Sequence, residues 1–165
     1  MYTNLQLARE EKEALLVTLY QYLDETFSQF PLACTKGCSF CCTTKLWVTS
    51  IEAEYIFKNL REELPSFDNL IYPRPKLTHN QLALLYFSGE EPKESSQEGG
   101  IAPCPFLTEE NLCKIYERRP VICRILNSLE RCGQESSAVV SEELYLMGLI
   151  ALQIVENIDI GGLYG

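Results

Sequence analysis

The segment Cys34-Thr-Lys-Gly-Cys38-Ser-Phe-Cys41-Cys42 places four of the chain's cysteines on one short stretch. Gly37 precedes Cys38, and glycine tolerates a positive φ angle that lets the backbone curl. Thiols on a curled loop can converge on one metal ion at a Zn–S distance of roughly 2.3 Å. The spacing C-x3-C-x2-C-C therefore predicts a metal-binding loop.

The adjacent residues Cys41 and Cys42 are expected to differ in role. Side chains of neighbouring residues tend to point apart. One of these two thiols is expected to serve the metal centre of the loop. The other is expected to serve a second centre or to pack in the core.

Four more cysteines follow at wide intervals, at Cys104, Cys113, Cys123 and Cys132. This spacing is too wide for a single knuckle, so these residues meet only if the fold brings them together. Eight thiols would suit two four-coordinate sites, but their number alone leaves one site or two open. The alternative for an isolated cysteine is a small buried hydrophobic residue, and it applies most to Cys132.

Composition favours metal binding over disulfide bonding. Eight cysteines among 165 residues fall below the roughly 8–10% that is typical of a disulfide scaffold. The start of the chain carries Glu10, Glu11 and Glu13 where a secretory signal would be apolar. The most apolar run, residues 144–155, is shorter than the roughly twenty residues of a membrane span. We therefore expect a cytoplasmic protein, without a membrane span, whose cysteines stay reduced.

Charge and histidine content exclude several function classes. The net charge of -9 argues against a nucleic-acid partner, because phosphate binding needs a basic surface. A single histidine, His79, excludes Ser-His-Asp triads and three-histidine zinc sites, and it is expected at an exposed helix start. No nucleotide-binding signature is present. Catalytic residues are therefore unknown, and the expected partner is a metal ion or cluster, with a protein partner or substrate left open.

Local patterns around the cysteines predict helices. Apolar residues at helical spacing predict a first helix up to about residue 29, before Pro31. Capping boxes at residues 49–52 and 78–81 predict helices over 50–64 and from 78 to Gly89. Prolines 65, 73 and 75 predict an extended connector, and residues 89–100 a flexible loop.

Two more helices are predicted towards the end of the chain. Pro120 is expected to open a helix that carries Cys123. A last helix over residues 141–157 is expected to bury one side, formed by Leu144, Met147, Ala151, Ile154, Val155 and Ile158.

These elements together predict a mainly α fold. We expect one small helical domain over residues 1–165, with irregular cysteine-rich loops organised around a metal site. The motif core covers residues 34–124, and the flanking helices cover 1–30 and 141–160.

Two further motifs carry a family resemblance. They are Pro103-Cys104-Pro-Phe-Leu107 and Cys113-Lys-Ile-Tyr-Glu-Arg-Arg-Pro-Val-Ile-Cys123-Arg124. In order after the first cysteine segment, they resemble the YkgJ-type cysteine-cluster family. The resemblance implies a zinc- or iron-chelating domain. It carries the candidate ligands over to Cys34, Cys38, Cys41, Cys42, Cys104, Cys113 and Cys123, whereas Cys132 lies outside the motif and stays a candidate by its residue type.

The sequence is compatible with more than one kind of metal centre and with more than one function. All-thiolate ligation favours zinc or an iron–sulfur cluster. The first motif also has the spacing of radical S-adenosylmethionine enzymes, but the chain is short for their barrel. A longer relative, the flagellin lysine methylase, is similar in its cysteine motif and is associated with an iron–sulfur cluster. It implies, as an alternative, an iron–sulfur enzyme or electron carrier in protein modification. A thiol redox protein using Cys41 and Cys42 is the third hypothesis.

Basic residues beside the second motif form a hypothesis of their own. Residues 114–131 carry five basic and two acidic side chains. A cation near a thiol lowers its pKa and favours the thiolate. We therefore expect Arg119 or Arg124 to screen the cysteines, and Phe106, Tyr116 and Pro120 to wall the site or to pack in the core.

Overall fold

The computed structural model describes residues 7–44, 46–58, 60, 77, 79–91, 102–133, 137–159 and 163–164. The predicted connector at residues 65–75 and residues 92–100 of the predicted loop lie outside this part of the chain. The mainly helical fold is confirmed, with helices α1 (Arg9–Phe27), α2 (Ser50–Lys58), α3 (His79–Phe87), α4 (Val121–Ile125) and α5 (Glu142–Asp159). A 3-10 turn at Tyr116–Arg118 precedes α4. Strands β1 (Val48–Thr49) and β2 (Leu163–Tyr164) pair antiparallel.

Helices α1, α4 and α5 pack against one another to form the core. One side of α1 is buried at the predicted helical spacing, and Val121 of α4 is fully buried beside it. On α5, the prediction for Ile154 is wrong, because its side chain is 41% exposed. Gly148 lies on the buried side instead. Among the described residues, no helix combines the length and the apolar character that crossing a membrane requires.

The predicted starts and ends of the middle helices are largely confirmed. Helix α2 begins at Ser50 as expected, but it ends at Lys58, earlier than predicted, and Leu60 is not helical. Helix α3 ends at Phe87, two residues before Gly89, whose φ is 72°. The Gly89 and Glu90 amides donate to carbonyls of the last helical turn at 3.1 and 2.9 Å, which is the hydrogen-bond pattern of a Schellman motif.

A residue far away in sequence caps the start of α2. One carboxylate oxygen of Asp159 accepts from the Ser50 hydroxyl at 2.6 Å and from the Ile51 amide at 2.9 Å. The other oxygen accepts from the Ser50 amide at 2.8 Å. The last residue of α5 therefore holds the first turn of α2, the element that follows the first cysteine segment.

Replacing this cap is expected to destabilise the protein measurably. Asp159→Asn puts an amide donor against backbone and hydroxyl donors, so the free energy of unfolding should fall by about 1–2 kcal/mol. Glu143→Gln makes the same chemical change at an exposed position of α5 and should cost under about 0.5 kcal/mol. Urea unfolding of both variants measures the difference, and equal midpoints would contradict the capping role.

Candidate metal centre

The first cysteine segment forms two consecutive tight turns. Gly37 adopts a φ of 94°, as its position before Cys38 predicted. The Cys38 amide donates to the Thr35 carbonyl, and the Cys42 amide donates to the Ser39 carbonyl, each at 2.9 Å. These turns have no regular secondary structure, so the backbone curls and holds the four cysteines of the segment close together.

Backbone hydrogen bonds join the second cysteine segment, residues 102–133, to the first. The Cys104 amide donates to the Cys42 carbonyl at 2.9 Å, next to an isolated bridge between Thr43 and Pro103. A second bridge pairs Leu107 with Cys113 across a turn. Cys42, Cys104 and Cys113 are therefore held on neighbouring pieces of backbone.

The remaining two cysteines come from α4 and from the loop after it. Cys123 lies in α4, which begins directly after Pro120, as predicted. The loop after α4 returns to the first cysteine segment, because the Ala33 amide donates to the Ser128 carbonyl at 2.8 Å. The Ser128 hydroxyl accepts from the Val139 amide at 2.9 Å. This buried serine fixes the path of the chain that leads to Cys132.

All eight cysteines line one or both of two cavities. The small cavity, of about 270 Å³, is lined by Cys34, Cys38, Cys41 and Cys132 together with apolar residues of α4 and α5. The large cavity, of about 520 Å³, is lined by Cys34, Cys38, Cys41, Cys42, Cys104, Cys113 and Cys123. Because three cysteines line both cavities, the cavities adjoin one another. Every cysteine that the sequence marked as a candidate ligand lies at this place.

All eight cysteines are free thiols, and burial controls the acidity of most of them. Burial raises the pKa of Cys34, Cys104, Cys113 and Cys123. Partial burial of the thiol and the nearby cysteines also raise the pKa of Cys41 to about 11, although the residue as a whole is exposed. Nearby thiols add to the effect on Cys34 and Cys123. These thiols are therefore protonated at neutral pH. Each thiol loses its proton when it binds a metal ion.

The thiols of Cys41 and Cys42 lie close to each other. Burial raises the pKa of Cys42, and a hydrogen bond with the Cys41 side chain opposes this rise. The two adjacent residues nevertheless differ in their surroundings, because Cys41 lines both cavities and Cys42 lines the large cavity only.

Arg119 lines the large cavity beside the cysteines, as does Arg124. Its guanidinium lies 4.3 Å from the centre of the Tyr116 ring, and both residues line the large cavity. Its charge lowers the pKa of Cys34 and of Cys113, against the larger effect of burial. In the described part of the chain, its Nε is the buried side-chain nitrogen that lacks a hydrogen-bond partner. The guanidinium also pairs with Asp24 through Nη2 at 3.5 Å, so its Nε–H is the donor left for a thiolate.

Arg124 lines the large cavity as well, and its side chain makes structural contacts. Its side chain is 3% exposed and lies over the Tyr20 ring. It pairs with Asp24 of α1. It also donates to the carbonyls of Glu117 and Arg119, at 2.8 and 2.9 Å. Arg124 therefore ties the turn before α4 to α1.

A buried carboxylate completes this network, and the sequence analysis did not identify it as a core residue. Glu52 is 2% exposed. One of its oxygens accepts from the Val121 amide at 2.6 Å and from the Tyr20 hydroxyl at 3.3 Å. The other accepts from the Thr49 amide at 2.9 Å, which is the capping-box contact that the sequence did predict. Burial raises the pKa of Glu52, although these hydrogen bonds oppose the rise.

The thiol donors suit a soft metal. Metal binding requires the sulfur atoms to move closer together. Soft thiolates select zinc and iron–sulfur clusters over hard cations. In the described part of the chain, no group of three or more His, Cys, Asp and Glu side chains is arranged so that it could hold a metal ion. The sulfur atoms around each cavity must therefore draw together, to roughly 2.3 Å from a zinc ion, for ligation.

Comparison with known proteins agrees with this chemistry. A family model named CxxCxxCC, with the description "Putative zinc- or iron-chelating domain", matches residues 33–143. The match covers both cysteine segments and reaches the first turn of α5. Searches of curated proteins and of solved structures gave no significant match. The chain belongs to the CxxCxxCC family of cysteine-rich domains, which is the kind of family that its cysteine motifs indicated.

Proposed function

We propose that this protein binds zinc or an iron–sulfur cluster through cysteine thiolates. The candidate ligands are Cys34, Cys38, Cys41, Cys42, Cys104, Cys113, Cys123 and Cys132. The observation that carries the proposal is the convergence of all eight cysteines, from distant parts of the sequence, on two adjoining cavities.

Metal binding at this place would hold the two cysteine segments together. In the described residues their mutual contacts include the Cys104–Cys42 hydrogen bond, the Thr44–Ala102 hydrogen bond and the Thr43–Pro103 bridge. A bound ion or cluster cross-links these segments, and an iron–sulfur cluster would in addition carry electrons. Because the sulfurs must approach one another for ligation, part of the binding free energy appears as folding free energy.

Arg119 supports ligation electrostatically. A tetrathiolate zinc site carries a net charge of about -2, since four thiolates surround one divalent cation. The guanidinium beside Tyr116 offsets this charge from a half-buried position. Its unpartnered Nε–H is available to donate to a ligating sulfur.

A thiol redox function has weaker support. Redox-active thiols commonly have a lowered pKa, which gives a reactive thiolate at neutral pH. The raised pKa of Cys41 and of Cys42 has the opposite effect. These neutral thiols suit capture by a metal ion better than attack on a disulfide.

Elemental analysis combined with a visible spectrum tests the proposed function. Protein purified without oxygen should contain zinc or iron in stoichiometric amount. Bound zinc should leave the protein colourless, whereas an iron–sulfur cluster should give a brown protein that absorbs near roughly 400 nm. Metal-free protein with reduced thiols and undiminished thermal stability would contradict the proposal. Reversible thiol loss without metal would support the redox hypothesis instead.

A further inference from the structure

We infer that the eight cysteines form two separate four-thiolate centres, each for one metal ion or cluster. Centre A consists of Cys34, Cys38, Cys41 and Cys132. Centre B consists of Cys42, Cys104, Cys113 and Cys123. The inference rests on the proposed function, and it assigns each thiol to a centre, including Cys132.

The cysteines that line the small cavity distinguish centre A from centre B. The four cysteines of centre A line it, and none of the four cysteines of centre B does so. Cys132 lines the small cavity but not the large one. The Ala33–Ser128 hydrogen bond explains this meeting, because it holds the loop that leads to Cys132 against the start of the first cysteine segment.

Backbone contacts connect three of the four cysteines of centre B. The Cys42 carbonyl accepts from the Cys104 amide. Leu107, three residues after Cys104, forms an isolated bridge with Cys113. Cys123 lies in α4, and it lines the large cavity with these three residues. These contacts thus hold Cys42, Cys104 and Cys113 near one another, and α4 adds Cys123.

The division falls between the adjacent residues Cys41 and Cys42. Cys41 lines both cavities, whereas Cys42 lines only the large one. Because these adjacent residues belong to different centres, the two centres lie side by side, with Arg119 near both. Its charge acts on Cys34 of centre A and on Cys113 of centre B. One guanidinium therefore lies beside the ligands of both centres.

Four thiolates complete the usual coordination of zinc or of an iron–sulfur cluster. A single centre would leave half of these converging thiols without a ligand role. The two sets of four use all of them, and both centres are then closed by protein ligands. Centre A also borders Leu144, Gly148 and Leu152 of α5, so it joins the first cysteine segment to the C-terminal helix.

Metal titration of the unmodified chain tests the number of centres. Reduced, metal-free protein is titrated anaerobically with Co²⁺, whose sulfur-to-metal charge-transfer absorption reports thiolate ligation. We expect the absorption to rise until two ions are bound per chain, and added Zn²⁺ to displace both. Saturation at a single ion would overturn the two-centre inference and leave the proposed function intact. Absence of any thiolate-bound Co²⁺ would overturn the proposed function itself.

Paired variants test the assignment of ligands. Cys132→Ser removes a ligand of centre A, and Cys113→Ser removes a ligand of centre B. Each variant is expected to lose one of the two tightly bound metal ions, and the double variant both. A Cys132→Ser variant that keeps two tight ions, or a variant of either centre that loses both while its helical circular dichroism is unchanged, would overturn the partition.

Discussion

Removing the metal under reducing conditions is expected to lower the thermal stability of the protein strongly. A ligand present at about 1,000 times its Kd stabilises the state that binds it by about 4 kcal/mol. For a chain of this size, that corresponds to a fall in Tm of roughly 8–16 °C. The loss should be largest in the cysteine segments, whose described regular structure is confined to short bridges, the 3-10 turn and α4.

Circular dichroism melting with and without a chelator measures this effect. Adding back Zn²⁺ after the chelator is removed is the control, and it should restore the higher Tm. Hydrogen exchange should show faster exchange in residues 32–44 and 102–133 than in the buried turns of α1 and α5, because these two helices supply most of the apolar core. An unchanged melting curve for protein shown to be metal-free would contradict a structural role for the metal.

Glu52→Gln is expected to cause the largest loss of stability among single substitutions outside the cysteines and the apolar core. Both oxygens of Glu52 accept hydrogen bonds from buried donors, including the Thr49 and Val121 amides. An amide side chain turns one acceptor into a donor, so buried N–H and O–H groups face another donor. The free energy of unfolding should fall by about 3–4 kcal/mol.

Glu54→Gln is the matched control for this substitution. Glu54 is on the same helix, α2, and its exposed side chain pairs with Arg9 at 2.9 Å. A pair of this kind contributes under about 1 kcal/mol. Denaturant unfolding of the two metal-loaded variants gives the comparison. Similar midpoints for both would contradict the role of Glu52 as the polar centre of the core.

The Glu52 variant also links the core to the candidate ligands. Val121 begins α4, and Cys123 lies two residues later in the same short helix. Loss of the Glu52–Val121 hydrogen bond loosens the start of that helix. We therefore expect the affinity for metal to fall in Glu52→Gln and to stay unchanged in Glu54→Gln.

Features that depend on neighbouring residues could be predicted from the sequence. The Thr49–Glu52 capping box placed the start of α2, and Gly89 placed the end of α3, because these signals act within one helical turn. Gly37 likewise indicated the curl of the first cysteine loop. The cysteines themselves could be identified as candidate ligands from their residue type and spacing.

Features that depend on packing between distant residues could not be predicted. Asp159 caps α2 across more than a hundred residues, and nothing near Asp159 in the sequence indicates this contact. Arg124 is buried because the ring of Tyr20 and the carboxylate of Asp24 lie beside it, and both belong to α1. The grouping of Cys132 with the first cysteine segment depends in the same way on the Ala33–Ser128 hydrogen bond.

X-ray absorption at the edge of the bound metal tests the central claim most directly, because it identifies the atoms that surround the ion. Protein purified without oxygen should show, for zinc, a first shell of four sulfur atoms at about 2.3 Å. For iron it should show sulfur ligation together with the iron–iron distance of a cluster. A first shell that contains nitrogen or oxygen in place of sulfur would contradict thiolate chelation by these cysteines.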